Sequence, residues 1–170
     1  MPFTPYHFAP AGLIGLPFYK RMDLPLFVFS NVAIDVEVLV DMKFFPGLPI
    51  HGYAHTLIGA MAAGIVIALL AYPVRSLLAG AMSIVNLNYK PTFVKMLIGA
   101  ILGGWFHVIV DSFCWYDVIP FWPLQKYNRF YQYLGASKVQ TICLLCIIPL
   151  VICYIILIAK KNLNNRNVPK

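Results

Sequence analysis

The sequence predicts an all-α membrane protein, a bundle of about five helices that crosses the bilayer several times. Of its 170 residues, 61% are apolar and only 11% are charged, whereas charged residues make up about 25% of an ordinary soluble domain. The mean hydropathy of +0.77 also excludes a disordered polycation, despite the net charge of +7. We therefore expect a single membrane-embedded domain over residues 1–159 and a basic cytoplasmic tail over residues 160–170.

Three apolar runs predict helices that cross the membrane. Residues 54–72 and 141–159 contain no Asp, Glu, Lys or Arg, and each would form a helix about 28 Å long, close to the thickness of the hydrocarbon core. Residues 96–116 are equally apolar except for His107 and Asp111. Because ionisable groups inside a span are costly, these two side chains need a partner or a function.

Two further helices are expected before these spans. Thr4 and Pro5 are typical of a helix start, and they predict a short helix over residues 5–19. Lys20, Arg21 and Asp23 make a polar break before a second apolar stretch over residues 24–40. The remaining segments, residues 44–50, 73–95 and 117–140, are rich in Pro, Gly or polar residues and are expected to be connections.

The distribution of basic residues predicts that the N-terminus is outside and the C-terminus inside. With five helices in this orientation, most Lys and Arg side chains fall on the cytoplasmic side, as the positive-inside rule requires. The inner set is Lys20, Arg21, Arg75, Lys90, Lys95, Lys160, Lys161, Arg166 and Lys170, and the outer set is Lys43, Lys126, Arg129 and Lys138. Membrane orientation thus accounts for the basic balance, and no nucleic-acid contact is inferred.

The four cysteines, Cys114, Cys143, Cys146 and Cys153, predict no disulfide framework. All lie within or beside apolar runs, where a free Cys behaves as a small hydrophobic residue. Cys143 and Cys146 have the spacing of a redox or metal motif, but their uninterrupted apolar surroundings favour core packing.

All four histidines and three of the six carboxylates fall in four short clusters. The clusters are His7, Asp35 with Glu37, His51 with His55, and His107 with Asp111. In the five-helix topology every cluster lies near the outer end of a helix, so all four meet at one depth. Residues four apart share a helix face, so His107 and Asp111 can offer two ligands to one ion.

This combination of side chains predicts a site for a divalent metal ion. Imidazole and carboxylate together suit zinc, and less specifically manganese or iron. The alternative is a structural hydrogen-bond network of His and carboxylate groups that ties the helices together.

These motifs carry a resemblance to a known family. They are the N-terminal segment that ends in His7, the Asp35-x-Glu37 pair, the His51-x3-His55-Thr56 segment, and His107-x3-Asp111 followed by Pro120-Phe-Trp-Pro123. Over residues 1–125 the sequence resembles the inner-membrane-associated metal-dependent hydrolases of bacteria, a group also described as LexA-binding. The resemblance implies the bacterial inner membrane as location. It implies His7, Asp35, His51, His55, His107 and Asp111 as metal-site residues, with Glu37 in the second acidic position.

One position departs from that family. Its members commonly carry an Arg directly after the first His of the His51 cluster, where this chain has Gly52. An Arg there could clamp a phosphate or carboxylate, so its absence weakens the expectation of anion binding at this point. Lys126 or Arg129 in the adjoining loop could replace it, although contact with solvent or lipid headgroups explains them equally well.

The leading functional hypothesis is a membrane-embedded hydrolase that uses metal-activated water on an ester, phosphoester or amide of an amphiphilic substrate. Asp35 and Glu37 are two residues apart, so their side chains diverge on a helix by about 160°. We therefore expect Asp35 to bind the ion and Glu37 to act as the general base. The alternative is a non-enzymatic membrane scaffold with a structural metal or a His and carboxylate network.

Two other functions explain the polar residues less well. A transporter or metal carrier needs coordinating groups along its whole path, yet residues 65–72, 96–104 and 150–159 contain no His or acid. Haem held by two histidines leaves Asp35 and Asp111 without a role.

The orientation predicts a labelling pattern in intact cells. In a background free of native cysteines, Lys43→Cys should react with a membrane-impermeant maleimide, while Lys161→Cys should react only after the cells are opened. The physical reason is the excess of Lys and Arg on the side that holds Lys161. Labelling of Lys161→Cys alone in intact cells would reverse the orientation and move the polar clusters to the cytoplasmic side.

Overall fold

The fold is described from a computed structural model that covers residues 5–45, 49–131 and 133–166. All regular structure in these ranges is helical. The helices are α1 Pro5–Gly15, α2 Leu24–Ala33, α3 Asp35–Phe44, α4 Leu57–Ala71, α5 Arg75–Ile84, α6 Phe93–Ser112, α7 Ala136–Leu145 and α8 Ile147–Arg166. Short 3₁₀ turns at Leu16–Phe18, Tyr53–His55 and Tyr72–Val74 extend or precede them. The predicted cap at Thr4 lies outside the described residues.

The eight helices group into five, which confirms the predicted all-α bundle. The pairs α2 and α3, α4 and α5, and α7 and α8 each follow one another with a break of at most one 3₁₀ turn. Three segments are long and apolar enough to cross a membrane, namely Leu57–Ile84, Phe93–Ser112 and Ala136–Leu163. The 11 residues of α1 span only about 16 Å, so this helix is too short to cross by itself.

The segment 73–95, expected to be a connection, is largely helical, because helix continues to Ile84 and α6 begins at Phe93. Pro73 occupies the first turn of the Tyr72–Val74 3₁₀ helix, where a missing N–H costs little. Arg75 then lies over the Tyr72 ring, 4.3 Å from its centroid, and donates to the Tyr72 carbonyl at 3.0 Å. These contacts stabilise the start of α5 at Arg75. The helical path therefore continues beyond the proline after one 3₁₀ turn.

Helix α6 lies at the centre of the bundle, between α2 and α4. Its buried face carries small residues at helical spacing, including Gly99, Ala100, Gly103 and Gly104. A Cβ on Gly99 would collide with the Asp23 carbonyl, and one on Gly103 with the Phe27 carbonyl and the Ser30 hydroxyl. Glycine therefore allows α2 to approach the α6 backbone directly, as small residues do between membrane helices.

Contacts along α6 fix the direction of its neighbours. Asp23, which caps α2, donates its N–H to the Lys95 carbonyl at 3.0 Å, so α2 starts near the beginning of α6. Tyr89, in the connection before α6, donates to Asp23 Oδ2 at 2.6 Å. This buried junction marks one end of the bundle, and the four polar clusters lie at the other. The inside or outside assignment of the two ends stays a prediction.

The close approach of α2 and α6 predicts a clear effect of adding one methyl group. Gly103→Ala should lower the free energy of unfolding by roughly 1–3 kcal/mol, because the methyl must displace the backbone of α2. The measurement is the apparent unfolding midpoint of the purified protein in detergent.

Gly80→Ala is the matched control. A Cβ at Gly80, inside α5, meets no atom within 4 Å, so this change should be neutral or stabilise the helix by about 0.5–1 kcal/mol. An equal midpoint for both variants would contradict the packing described for α2 and α6.

Candidate metal centre

Four side chains from three elements converge at one end of the bundle. Asp35 is the first residue of α3, His55 ends the 3₁₀ turn before α4, and His107 and Asp111 lie one turn apart in α6. One ligand atom from each lies within 4.8 Å of the others. The spacing of His107 and Asp111 thus does place both on one face, and the packing of α2 and α4 against α6 adds the other two.

The distances within this cluster bring two imidazole nitrogens close to two carboxylates. His107 Nε2 lies 3.2 Å from Asp35 Oδ1 and 3.4 Å from Asp111 Oδ2, and His55 Nε2 lies 3.8 Å from Asp35 Oδ1. The side chains of His55 and His107 are fully buried. Neither Nε2 atom makes a well-aligned hydrogen bond with a described residue. Buried nitrogens in this state, facing two carboxylates, are suitable for a divalent metal ion.

His7 joins the cluster from α1. Its Nε2 lies 3.1 Å from Asp111 Oδ1, and its ring stacks on that of His107 at a centroid distance of 4.5 Å. Asn31 of α2 donates to the His7 carbonyl at 3.2 Å and so fixes the first turn of α1 in place. His7 therefore lies beside the four-residue group and contacts it through Asp111 and His107.

Glu37 is bound on the opposite side of the His55 ring. Its Oε2 lies 2.9 Å from His55 Nδ1, and the carboxylate also accepts the N–H groups of Gly52 at 3.1 Å and Ala54 at 2.8 Å. A carboxylate on one nitrogen of a histidine fixes the ring and its tautomer, as is common where the other nitrogen binds a metal. The geometry gives Glu37 a positioning contact, and its role as general base stays a prediction.

His55 precedes the helix that it was expected to enter. Helix α4 begins at Leu57, because Thr56 has extended backbone angles and its hydroxyl accepts the Gly59 N–H at 2.9 Å. His51 and His55 are consequently not neighbours on an α-helical face. Their rings still meet edge to face at 4.7 Å.

His51 pairs with an acid that the sequence patterns did not single out. Its Nδ1 lies 2.9 Å from Asp117 Oδ1, and both side chains are largely buried. The structure thus places His51 next to the four-residue group and outside it. Asp117 follows Asp111 by six residues at the same end of the bundle, and that proximity was the only sequence signal available for it.

The charge of Asp117 is stabilised by this pairing. Partial burial raises the pKa of the Asp117 carboxyl, but the interaction with His51 outweighs it, and the pKa lies below its usual range. The contribution of the pair to stability is therefore present above the ordinary pKa of Asp and is lost as the pH falls through the lowered value.

Helix content and site together define a class, that of multi-pass helical membrane proteins with a buried His and Asp cluster able to hold a metal ion. A family model described as the YdjM inner membrane protein matches residues 22–166. The chain belongs to the YdjM inner membrane protein family and is a multi-pass inner-membrane protein. This confirms the predicted bacterial inner-membrane family and location. No curated protein and no solved structure matches the chain.

The cluster predicts metal binding that depends on α6. Protein purified in detergent should hold one or two equivalents of a divalent transition metal, measured by inductively coupled plasma mass spectrometry. Asp111→Ala or His107→Ala should lose at least one equivalent, because each removes a buried group that faces the shared centre.

Asp117→Asn is the matched control for the loss of an acid. It should keep the metal, since Asp117 pairs with His51 outside the four-residue group. Wild-type protein that stays metal-free after exposure to zinc and manganese, with its fold intact, would leave only a structural network of His and carboxylate groups.

Proposed function

We propose that this protein is a membrane-embedded metal-dependent hydrolase that acts on an ester, phosphoester or amide of an amphiphilic substrate. The observation that carries the proposal is the convergence of two buried imidazoles, His55 and His107, with the carboxylates of Asp35 and Asp111, because one ligand atom from each residue lies within 4.8 Å of the others. Two imidazoles and two carboxylates suit zinc, with manganese or iron as alternatives. When bound, such an ion supplies a Lewis acid that polarises water and a substrate oxygen.

The residues around that centre have different roles in the proposal. Asp35, His55, His107 and Asp111 would hold the ion. His7 supports this group through its 3.1 Å contact with Asp111. His51, which is paired with Asp117, supports it through its ring contact with His55. All six predicted metal-site residues thus have a part in the proposal, four as direct ligands and two as neighbours.

Glu37 is the proposed general base. Its carboxylate is held against His55 Nδ1, yet its side chain is about one-fifth exposed and lines a cavity next to the cluster. A substrate in that cavity would be within reach of Glu37 Oε1 or Oε2. Glu37 can therefore receive a proton from the reacting water, while its contact with His55 keeps that ring in place.

The position of the site favours a substrate from the lipid leaflet. The cluster lies at one end of three apolar spans, and the connection after α6 carries exposed aromatic side chains such as Tyr116, Trp122 and Tyr127. Such side chains are typical of the boundary between lipid and water. An amphiphile held at this boundary would present its polar bond at the depth of the cluster.

A structural network is the alternative, and one observation favours it. His7 with Asp111, and His51 with Asp117, already form close pairs without an ion. A scaffold of this kind would need its pairs intact but would not need four ligand atoms gathered within 4.8 Å of one another. Turnover and metal content therefore distinguish the two functions.

Glu37→Gln tests the proposed base. At saturating metal it should lower kcat by about 10²-fold or more on any amphiphilic ester, phosphoester or amide that the wild type cleaves, because the amide cannot accept the proton. The measurement is a pH–rate profile together with metal content, since loss of a base also removes a limb of the profile.

The metal affinity of the same variant separates positioning from proton transfer. If Glu37 only orients His55, the main effect is a fall in metal affinity of about 10–100-fold, and kcat recovers when metal is added in excess. Full recovery would remove Glu37 from the chemical step. Failure of the wild type to cleave any member of a broad panel would shift the proposal to the scaffold.

A further inference from the structure

A cavity of about 470 Å³ lies beside the metal cluster and is lined in part by Glu37 and His51. Its walls combine acidic and aromatic side chains from α3, from the segment before α4 and from the connection after α6. The acids are Glu37, Asp41 and Asp117, and the aromatic residues are Phe45, Tyr53 and Trp122. This lining is specific enough to indicate the chemistry of a ligand.

The cavity is negatively charged. It has three carboxylates and one histidine, and none of its described lining residues is Lys or Arg. Lys126 and Arg129, the sequence's candidates for anion binding, are not among the lining residues, and Arg129 instead bonds to Tyr127. Even with His51 protonated, two negative charges remain, so a phosphate group would be repelled and a cation attracted.

Of these three acids, Asp41 is the one whose charge no described residue balances. Glu37 is bound by His55 and two backbone N–H groups, and Asp117 by His51. The Asp41 carboxylate makes no hydrogen bond or ion pair with the described residues. It is half-buried at the cavity wall, so its charge is placed to attract a cation that enters the cavity.

Gly52 brings two of these carboxylates to one place. A Cβ built on Gly52 would lie 2.8 Å from Glu37 Oε1 and 3.2 Å from Asp41 Oδ2. Both carboxylates therefore lie against the same bare backbone, and a single cationic group can approach the two together.

The aromatic wall suits an alkylated cation. The rings of Tyr53 and Trp122 meet edge to face at a centroid distance of 5.0 Å, and Phe45 completes the wall. All three are exposed, although buried packing would be the usual place for such rings. Aromatic faces beside a carboxylate are the arrangement that recognises methylated or alkylated ammonium groups.

We infer that this cavity binds an alkylammonium group, and that the amphiphile acted on by the neighbouring metal centre carries such a head. The second clause rests on the proposed function, whereas the binding itself does not. The acidic and aromatic wall holds the head, and Glu37 forms the boundary between the head and the cluster. An ester or amide next to the ammonium group would then lie beside Glu37.

Calorimetric titration of the whole protein in detergent tests this inference. The probes are butyltrimethylammonium and butyl phosphate, which share an alkyl chain and differ in the sign of their charge. Butyltrimethylammonium should bind with a Kd at least about tenfold lower than that of butyl phosphate, and its binding should weaken with added salt.

Variants locate the binding within the cavity. Asp41→Asn and Tyr53→Leu should each raise the Kd for butyltrimethylammonium by roughly 3-fold to 10-fold while the metal content stays unchanged. Tyr116→Leu is the matched control, because Tyr116 is 72% exposed and does not line the cavity. It should bind the probe as the wild type does.

The outcomes separate this inference from the proposed hydrolase. Equal or tighter binding of butyl phosphate, or equal affinities for Tyr53→Leu and Tyr116→Leu, would overturn the ammonium site even if esters are cleaved. Selective binding of butyltrimethylammonium without turnover of any ester would support the site and reject the enzyme. Faster cleavage of an ester with an ammonium head than of its phosphate-bearing counterpart would support both.

Discussion

The close approach of α2 and α4 to the small-residue face of α6 is the contact on which the rest of the structure depends. Gly99 and Gly103 admit the backbone of α2, and Gly64 of α4 packs directly against the backbone at Ile101. Because helices are rigid over this length, the approach at the glycines also fixes the distance between the helix ends. Asp35 and His55 therefore reach His107 and Asp111.

Much of the fold and part of the site could be predicted from the sequence. Uncharged runs of the thickness of a bilayer identified the spans, and the four-residue spacing of His107 and Asp111 placed both on one helix face. Both signals are local, since they depend on composition and on the period of a helix. What the sequence could not supply were the contacts between distant segments, such as the pairing of His51 with Asp117.

Two helix boundaries were harder to predict for the same reason. The restart of the helix at Arg75 depends on a contact with Tyr72, and the late start of α4 depends on the Thr56 cap and on the Leu57 N–H, which donates to the Pro120 carbonyl at 2.9 Å. That last bond joins the beginning of α4 to the connection after α6, which lies 63 residues further along the chain. The hydropathy of the sequence does not report such a long-range bond. A run of apolar residues therefore gives only approximate boundaries for the helix.

Charge is distributed along the bundle in a way that connects the metal centre with the neighbouring cavity. Asp23 lies at the junction near the start of α6, and the other five acids, Asp35, Glu37, Asp41, Asp111 and Asp117, lie at the end that holds the cluster. Carboxylates gathered beside apolar spans produce a field that water screens poorly, so it is focused on the space between them. Such a field would favour cations, and the two proposals place a small ion among nitrogen and oxygen ligands and a larger, alkylated one against aromatic rings. Glu37 contacts His55 of the cluster and also lines the cavity, so under the proposed function the coupling of binding to chemistry would pass through this one side chain.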